Sequence, residues 1–419
     1  MHARRVRRSA VVSLSLLTLC LLLVGCGGGS GSDQQSSSED TQQAESQSTV
    51  EATVGETNGG EDRFASETIQ QLDSAIAEVM SEENLPGVAV AVLVPGEDEY
   101  VQAQGAANLE TGRERQPNDP FRIGSITKTF TATALLQLVD QGQLSKSDPL
   151  SNWYPDFPNA DQITVDDLLS MRSGIPDYWD EETLRQYYDN PLEDVTAEEI
   201  IQQVAGEADQ FEAPNQQTQY NNTNYSILER IVEKVTGNDL GTQITEDIIQ
   251  PLGMRNTIYP VNSELPGELR GYGLNPESEQ FEDKTILNPA PPGGAGAMIS
   301  DISDLGVYAR ALYNGDLLTP QAQQERLEAQ QLEGAPETTG YGEGIAKLGN
   351  FWGHNGEIQG FSSEMWFLPQ LEATIIVSVN RGDADYESKS TDVLGVVAQT
   401  LFPEYVEGGN QTPSEDPVG

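Results

Sequence analysis

Cysteine and histidine are almost missing from these 419 residues. The two cysteines, Cys20 and Cys26, lie near the N-terminus, so the rest of the chain holds no disulfide and no cysteine metal site. The two histidines are His2 and His354. One histidine in the body of the chain cannot build a zinc site of ordinary His/Cys spacing. No metal and no organic cofactor is expected. Positive charge is scarce as well: 22 Lys and Arg stand against 67 Asp and Glu, a formal net charge of −45. Such a surface repels a polyanion, which argues against DNA or RNA as a partner. Only six residues are lysine. An acidic, lysine-poor surface reads as one kept soluble at high salt, where repulsion between like charges is screened.

Long apolar runs are also few. One extends from about Ala10 to Val24, behind the basic cluster Arg4, Arg5, Arg7 and Arg8. It is short for a spanning helix and is followed at once by Gly and Ser, so it reads as an export leader, with paired arginines that weakly suggest the twin-arginine route. It ends Leu23-Val24-Gly25-Cys26, which resembles a lipoprotein signal. Cleavage before Cys26 would leave a lipidated N-terminus, an acyl anchor holding the exported protein on a membrane surface. The expected organisation is a signal peptide over 1–25, a Gly/Ser/Gln/Glu/Thr tether over 26–63, a folded part over 64–406 and a similar tail over 407–419.

Within the folded part, Ile69, Leu72, Ile76, Val79 and Met80 recur at helical spacing from Glu67 to Asn84. Val88–Val94 and Tyr100–Ala107 read as strands joined by a turn at Pro95. Phe361–Leu368 and Ala373–Asn380 form a second such pair around Pro369, and Val393–Leu401 is a closing helix. Between them, about 129–285 is mostly helical patches and loops. Strands at both ends with helices between predict an α/β (α+β) fold. An antiparallel sheet flanked by helices is built from about 64–128 and 286–406, with a mainly helical insertion over 129–285.

Three constellations carry chemistry. Ser125-Ile126-Thr127-Lys128 opens a helix running through Phe130, Leu135, Leu136, Leu138 and Val139 to Gly142. Residues three apart share a helical face, so Lys128 can reach the Ser125 hydroxyl and activate it. The bland alternative is a helix-capping serine beside a solvated lysine. Tyr220-Asn221-Asn222 lies in a polar loop before a helix over Tyr225–Thr236. In an extended stretch Tyr220 and Asn222 would face one site, and a phenol beside an ammonium could have a lowered pKa and move protons. His354-Asn355-Gly356 leads into a strand-like segment, where the glycine lets a substrate lie against a strand edge whose N–H groups bind an oxyanion. Alone, His354 reads as a buried structural histidine.

In this order, Ser-x-x-Lys, Tyr-x-Asn and His-x-Gly resemble the serine penicillin-recognising enzymes. The similarity is to the branch holding class C β-lactamases, D-alanyl-D-alanine carboxypeptidases and related esterases. Phe121-Arg122-Ile123-Gly124, Leu168–Tyr178, Pro251-Leu252-Gly253-Met254 and Ala295–Ser300 extend the resemblance over about Glu67 to Pro403. It implies that Ser125 is acylated, that Lys128 assists, and that Tyr220 is the general base. It further implies that Asn222 orients the acyl amide and that the N–H groups of Ser125 and Glu357 form the oxyanion hole. His354 stands where β-lactamases usually carry lysine, and Glu357 adds an acid beside the site. The implied activity is a carboxypeptidase-like or related peptidase first. Esterase or amidase action on small acyl compounds is close behind, and β-lactamase turnover third. A small molecule or peptide is the expected substrate, and no obligate protein partner is inferred. An α/β-hydrolase is a poor rival, because Ile-Gly-Ser-Ile-Thr lacks the second glycine of the nucleophile elbow. A non-catalytic surface module would have no need of Ser, Lys and Tyr together.

Overall fold

The computed structural model describes residues 63–406, apart from 180, 208–210, 212, 213 and 386. The leader, Cys26, the tether up to residue 62 and the tail therefore lie outside the described residues. Helix α1 (Ser66–Glu82) buries Leu72, Ile76 and Val79, the spacing read from sequence. Nine strands among the described residues make one antiparallel sheet. They are β1 (Gly87–Leu93), β2 (Tyr100–Asn108), β3 (Arg113–Glu114), β4 (Gln330–Gln331), β5 (Thr339–Tyr341), β6 (Ala346–Leu348), β7 (Phe351–Ile358), β8 (Phe361–Leu368) and β9 (Ala373–Val379). Their order is β3-β2-β1-β9-β8-β7-β6-β5-β4. The two ends of the fold meet where β1 pairs with β9, Val88 opposite Val379 and Val92 opposite Ile375. Both strands are buried almost throughout, which is why they read as apolar runs without alternation.

Helix α2 (Thr127–Asp140) is buried on nearly every side. Helix α3 (Thr223–Thr236) packs against it and ends at Gly237, in the left-handed conformation that a glycine C-cap adopts. Helix α4 (Ile302–Asn314) packs on β1, β8 and β9, and Tyr308 from it stacks on Phe130 of α2 with ring centroids 3.7 Å apart. Helix α5 (Thr391–Leu401) packs on α1, β8 and β9. One apolar core runs through both the sheet and the helical parts, from Leu72 through Leu135 and Ile231 to Phe402.

Two local expectations change. His354-Asn355-Gly356 does not precede a strand but lies inside β7. Glycines depress strand propensity, and here they mark close backbone approach. A methyl on Gly356 would stand 1.9 Å from the Ile123 carbonyl oxygen. A short hairpin, Tyr272–Asn275 with Gln280–Asp283, interrupts the stretch read as mainly helical.

Candidate active site

Ser125 sits in a tight turn, Gly124–Ile126, that runs directly into α2. It caps nothing with its side chain. Lys128, one turn on, is fully buried. Both facts discard the reading of a capping serine beside a solvated lysine. The Lys128 ammonium nitrogen donates to three acceptors: Ser125 Oγ at 2.9 Å, Asn222 Oδ1 at 2.8 Å and the Ala295 carbonyl at 2.8 Å. Burial drives its pKa down to about 7, against the opposing pull of Asp177. Near neutrality, then, the nitrogen passes between an ammonium with three acceptors and an amine. The amine would keep two N–H bonds to carbonyl oxygens and offer its lone pair to the Ser125 hydroxyl proton.

The second motif comes from the segment entering α3. Tyr220 is part-exposed, its phenol is close enough to the Ser125 hydroxyl to feel it, and its ring lies 4.8 Å from Lys128 Nζ. Asn222 is the N-cap residue of α3, with helical φ −80° and ψ −34°, not an extended residue. The two side chains converge on Lys128 through this turn rather than through strand alternation. The expectation of a lowered phenol is also corrected. Desolvation pushes Tyr220 well above its ordinary value, and the nearby Ser125 hydroxyl does not offset it. Tyr220 is therefore protonated at neutral pH.

The third motif lines the other wall. β6 pairs with β7 only at 351–353. Beyond that, β7 packs against the Ser125 turn. Gly124, at φ +50°, has the Glu357 main chain directly against it, and a methyl there would stand 2.7 Å from the Glu357 nitrogen. His354 is buried, with Nε2 3.2 Å from the Tyr341 hydroxyl and Nδ1 2.5 Å from the Asn355 carbonyl. Burial, then the nearby Lys128, lower its pKa to about 3, so it is neutral. The bland reading of a buried histidine is right about its burial, and yet its ring lies 5.9 Å from that of Tyr220.

Glu357 departs from expectation. Strand alternation turns its side chain to the face opposite His354 and Gly356. Both its carboxyl oxygens are out of solvent with no hydrogen-bond partner among the described residues. Desolvation holds it well above the usual carboxylate range, with Lys389 opposing and Glu364, Asp383 and Asp385 reinforcing. It adds a neutral acid, not a negative charge.

Two contributors were not singled out from sequence. Asp177 accepts from the Asn222 main-chain nitrogen at 3.1 Å and from its Nδ2 at 3.0 Å. Ala295 supplies the third acceptor for Lys128 from the short helix Gly293–Gly296. That helix is tied to α3 by Glu229 Oε2, which accepts from Gly294 N at 2.8 Å. Among the described residues no group of three or more His, Cys, Asp or Glu side chains could hold a metal. No helix among them is long and apolar enough to cross a membrane.

The Beta-lactamase family model matches residues 72–398. A penicillin-binding protein of Bacillus subtilis is 27% identical over 335 residues, 72% of this chain and 69% of its own. Esterase EstB of Burkholderia gladioli is 27% identical over 314 residues, 66% of this chain and 78% of its own. Among solved structures, a D-stereospecific amidohydrolase from Streptomyces superposes with a TM-score of 0.70 at 30% identity, covering 80% of this chain and 97% of that one. The fold read from sequence, a large antiparallel sheet with helices, is the one these neighbours share.

Proposed function

The chain belongs to the beta-lactamase family of serine hydrolases, and from that premise we propose that it cleaves small esters and amides through an acyl-enzyme on Ser125. The observation that carries this is the 2.9 Å contact between Lys128 Nζ and Ser125 Oγ, made by a lysine whose pKa is about 7. As an amine, Lys128 takes the Ser125 proton while Oγ attacks the acyl carbon. The tetrahedral oxygen is received by the N–H groups of Ser125 and Glu357, held together by the glycine contact at Gly124. The protonated Tyr220 then gives its proton to the departing oxygen or nitrogen and regains one from the Lys128 ammonium. Asn222 holds Lys128 and orients the acyl group. Water repeats the steps in reverse order to free Ser125.

The neutral His354 decides between leaving groups. Its Nε2 is engaged by Tyr341 and its Nδ1 by Asn355, so it offers no positive charge to a substrate carboxylate. This favours uncharged esters and amides over a D-alanyl-D-alanine terminus, reversing the order suggested by the motifs. Amides of D-amino acids are the first amides to try, given the likeness to the Streptomyces amidohydrolase. We propose further that export and lipidation at Cys26 tether the enzyme to a membrane surface.

The test is a substrate panel with Ser125→Ala as control: p-nitrophenyl esters, D- and L-amino acid amides, and a D-Ala-D-Ala peptide. Turnover of esters and amides well above release of D-alanine supports the reading. Preferential release of D-alanine would replace it with the carboxypeptidase.

A further inference from the structure

We propose that Asp177 is a positioning residue for acylation: its carboxylate clamps the Asn222 amide so that Oδ1, and not Nδ2, faces Lys128. The inference rests on the acyl-enzyme reading and deepens it. One carboxylate oxygen of Asp177 accepts from the main-chain nitrogens of Asn222 at 3.1 Å and Trp179 at 3.2 Å. The other accepts from Asn222 Nδ2 at 3.0 Å. Every partner is a donor, so the geometry serves the ionised form, against a desolvation that raises the pKa of this buried carboxyl. A carboxylate facing the amide leaves Asn222 one orientation. Its NH2 must point at Asp177, and its oxygen then accepts from Lys128 Nζ at 2.8 Å.

The same carboxylate acts on Lys128 by its charge. The other groups near the ammonium are neutral. Ser125 and the Ala295 carbonyl carry no charge, and burial keeps the phenols of Tyr220, Tyr225 and Tyr341 protonated and His354 deprotonated. Asp177 is the charged group opposing desolvation of the lysine. Its removal therefore has a defined sign. In Asp177→Asn the new NH2 would face the NH2 of Asn222, so Asn222 must turn its own NH2 to Lys128. A donor there suits an amine and repels an ammonium. Loss of charge and loss of the clamp both favour the amine.

The six lysines make the test direct. Lysine labelled with carbon-13 at the ε-carbon yields six signals, and Lys128→Arg identifies the relevant one. In the wild type its midpoint should lie near 7. In Asp177→Asn it should fall by about one pH unit or more, and the acid limb of Ser125 phosphonylation by a fluorophosphonate, in which Oγ displaces fluoride from phosphorus, should fall with it. Asp177→Glu, which keeps the charge, should hold the midpoint closer to wild type. If Asp177→Asn does not fold, Asp177→Ser serves the same reading. A folded variant that melts earlier but keeps both midpoints would show a merely structural Asp177 and overturn the proposal. Equal labelling of Ser125→Ala would instead overturn the acyl-enzyme reading, and the lysine midpoint would still report on the clamp.

Discussion

The main-chain nitrogen of Glu357 lies so close to Gly124 that a methyl added there would stand 2.7 Å from it. Gly124 also holds φ +50°, which disfavours a side chain whatever the space. These two constraints bring β7 against the nucleophile turn. Gly124→Ala should push the Glu357 amide away from the oxyanion and lower kcat by about 10²-fold or more, with a smaller change in KM. Steady-state kinetics beside thermal melts check this. A stable variant with normal kcat would remove the Glu357 amide from the oxyanion hole.

The burial of Lys128 sets a pH dependence. Its pKa is depressed to about 7, and its amine form is the active one, so kcat/KM should rise with pH through about 7 and level off above. The sign follows from the base losing its proton as pH increases. Lys128→Ala should lower kcat by about 10²-fold or more and abolish that limb. A pH–rate profile from 5 to 9 on an uncharged ester is the measurement. A flat profile would mean that Lys128 is not the proton acceptor.

Glu357 supplies a contrast, because its carboxyl is buried, unpartnered and held neutral. Glu357→Gln keeps both shape and charge state. It should leave kcat/KM within about threefold and the acid limb where it was. A large rate increase with a shifted limb would show that a negative charge had been present after all.

The net charge of −45 predicts a response to salt. Screening weakens repulsion within the folded acidic surface, so Tm should increase from low to molar KCl. Calorimetry across that range reads it directly. A constant Tm would separate the composition from any adaptation to salt.

Much of the site was legible because its signals are local. Ser125 and Lys128 lie one helical turn apart, and helix periodicity alone puts them together. The apolar runs of β1 and β9 announced a buried sheet joining both ends of the fold. What sequence hid was set by tertiary contact. Asp177 reaches Asn222 across 45 residues, which no spacing rule reports. The protonation of Tyr220 reverses the simple argument from a neighbouring ammonium, because burial raises the phenol's pKa and the charge of Asp177 adds to it. Glu357 looked like an added negative charge until the sheet showed which face carries it. The β7 strand was blurred by Gly353 and Gly356, which are there for close packing: a methyl on Gly353 would stand 1.9 Å from the Met365 carbonyl oxygen.

The central claim is that Ser125 carries the acyl group. The most direct test is an intact-mass time course of the Glu67–Pro403 region with short flanks, in high salt. The protein would be mixed with a slowly deacylating p-nitrophenyl ester, with benzylpenicillin run in parallel and Ser125→Ala as control. The account predicts a mass increase of one acyl group from the ester, absent in Ser125→Ala, with little or no penicillin adduct. An acyl adduct that persists in Ser125→Ala, or ester turnover retained by that variant, would contradict it.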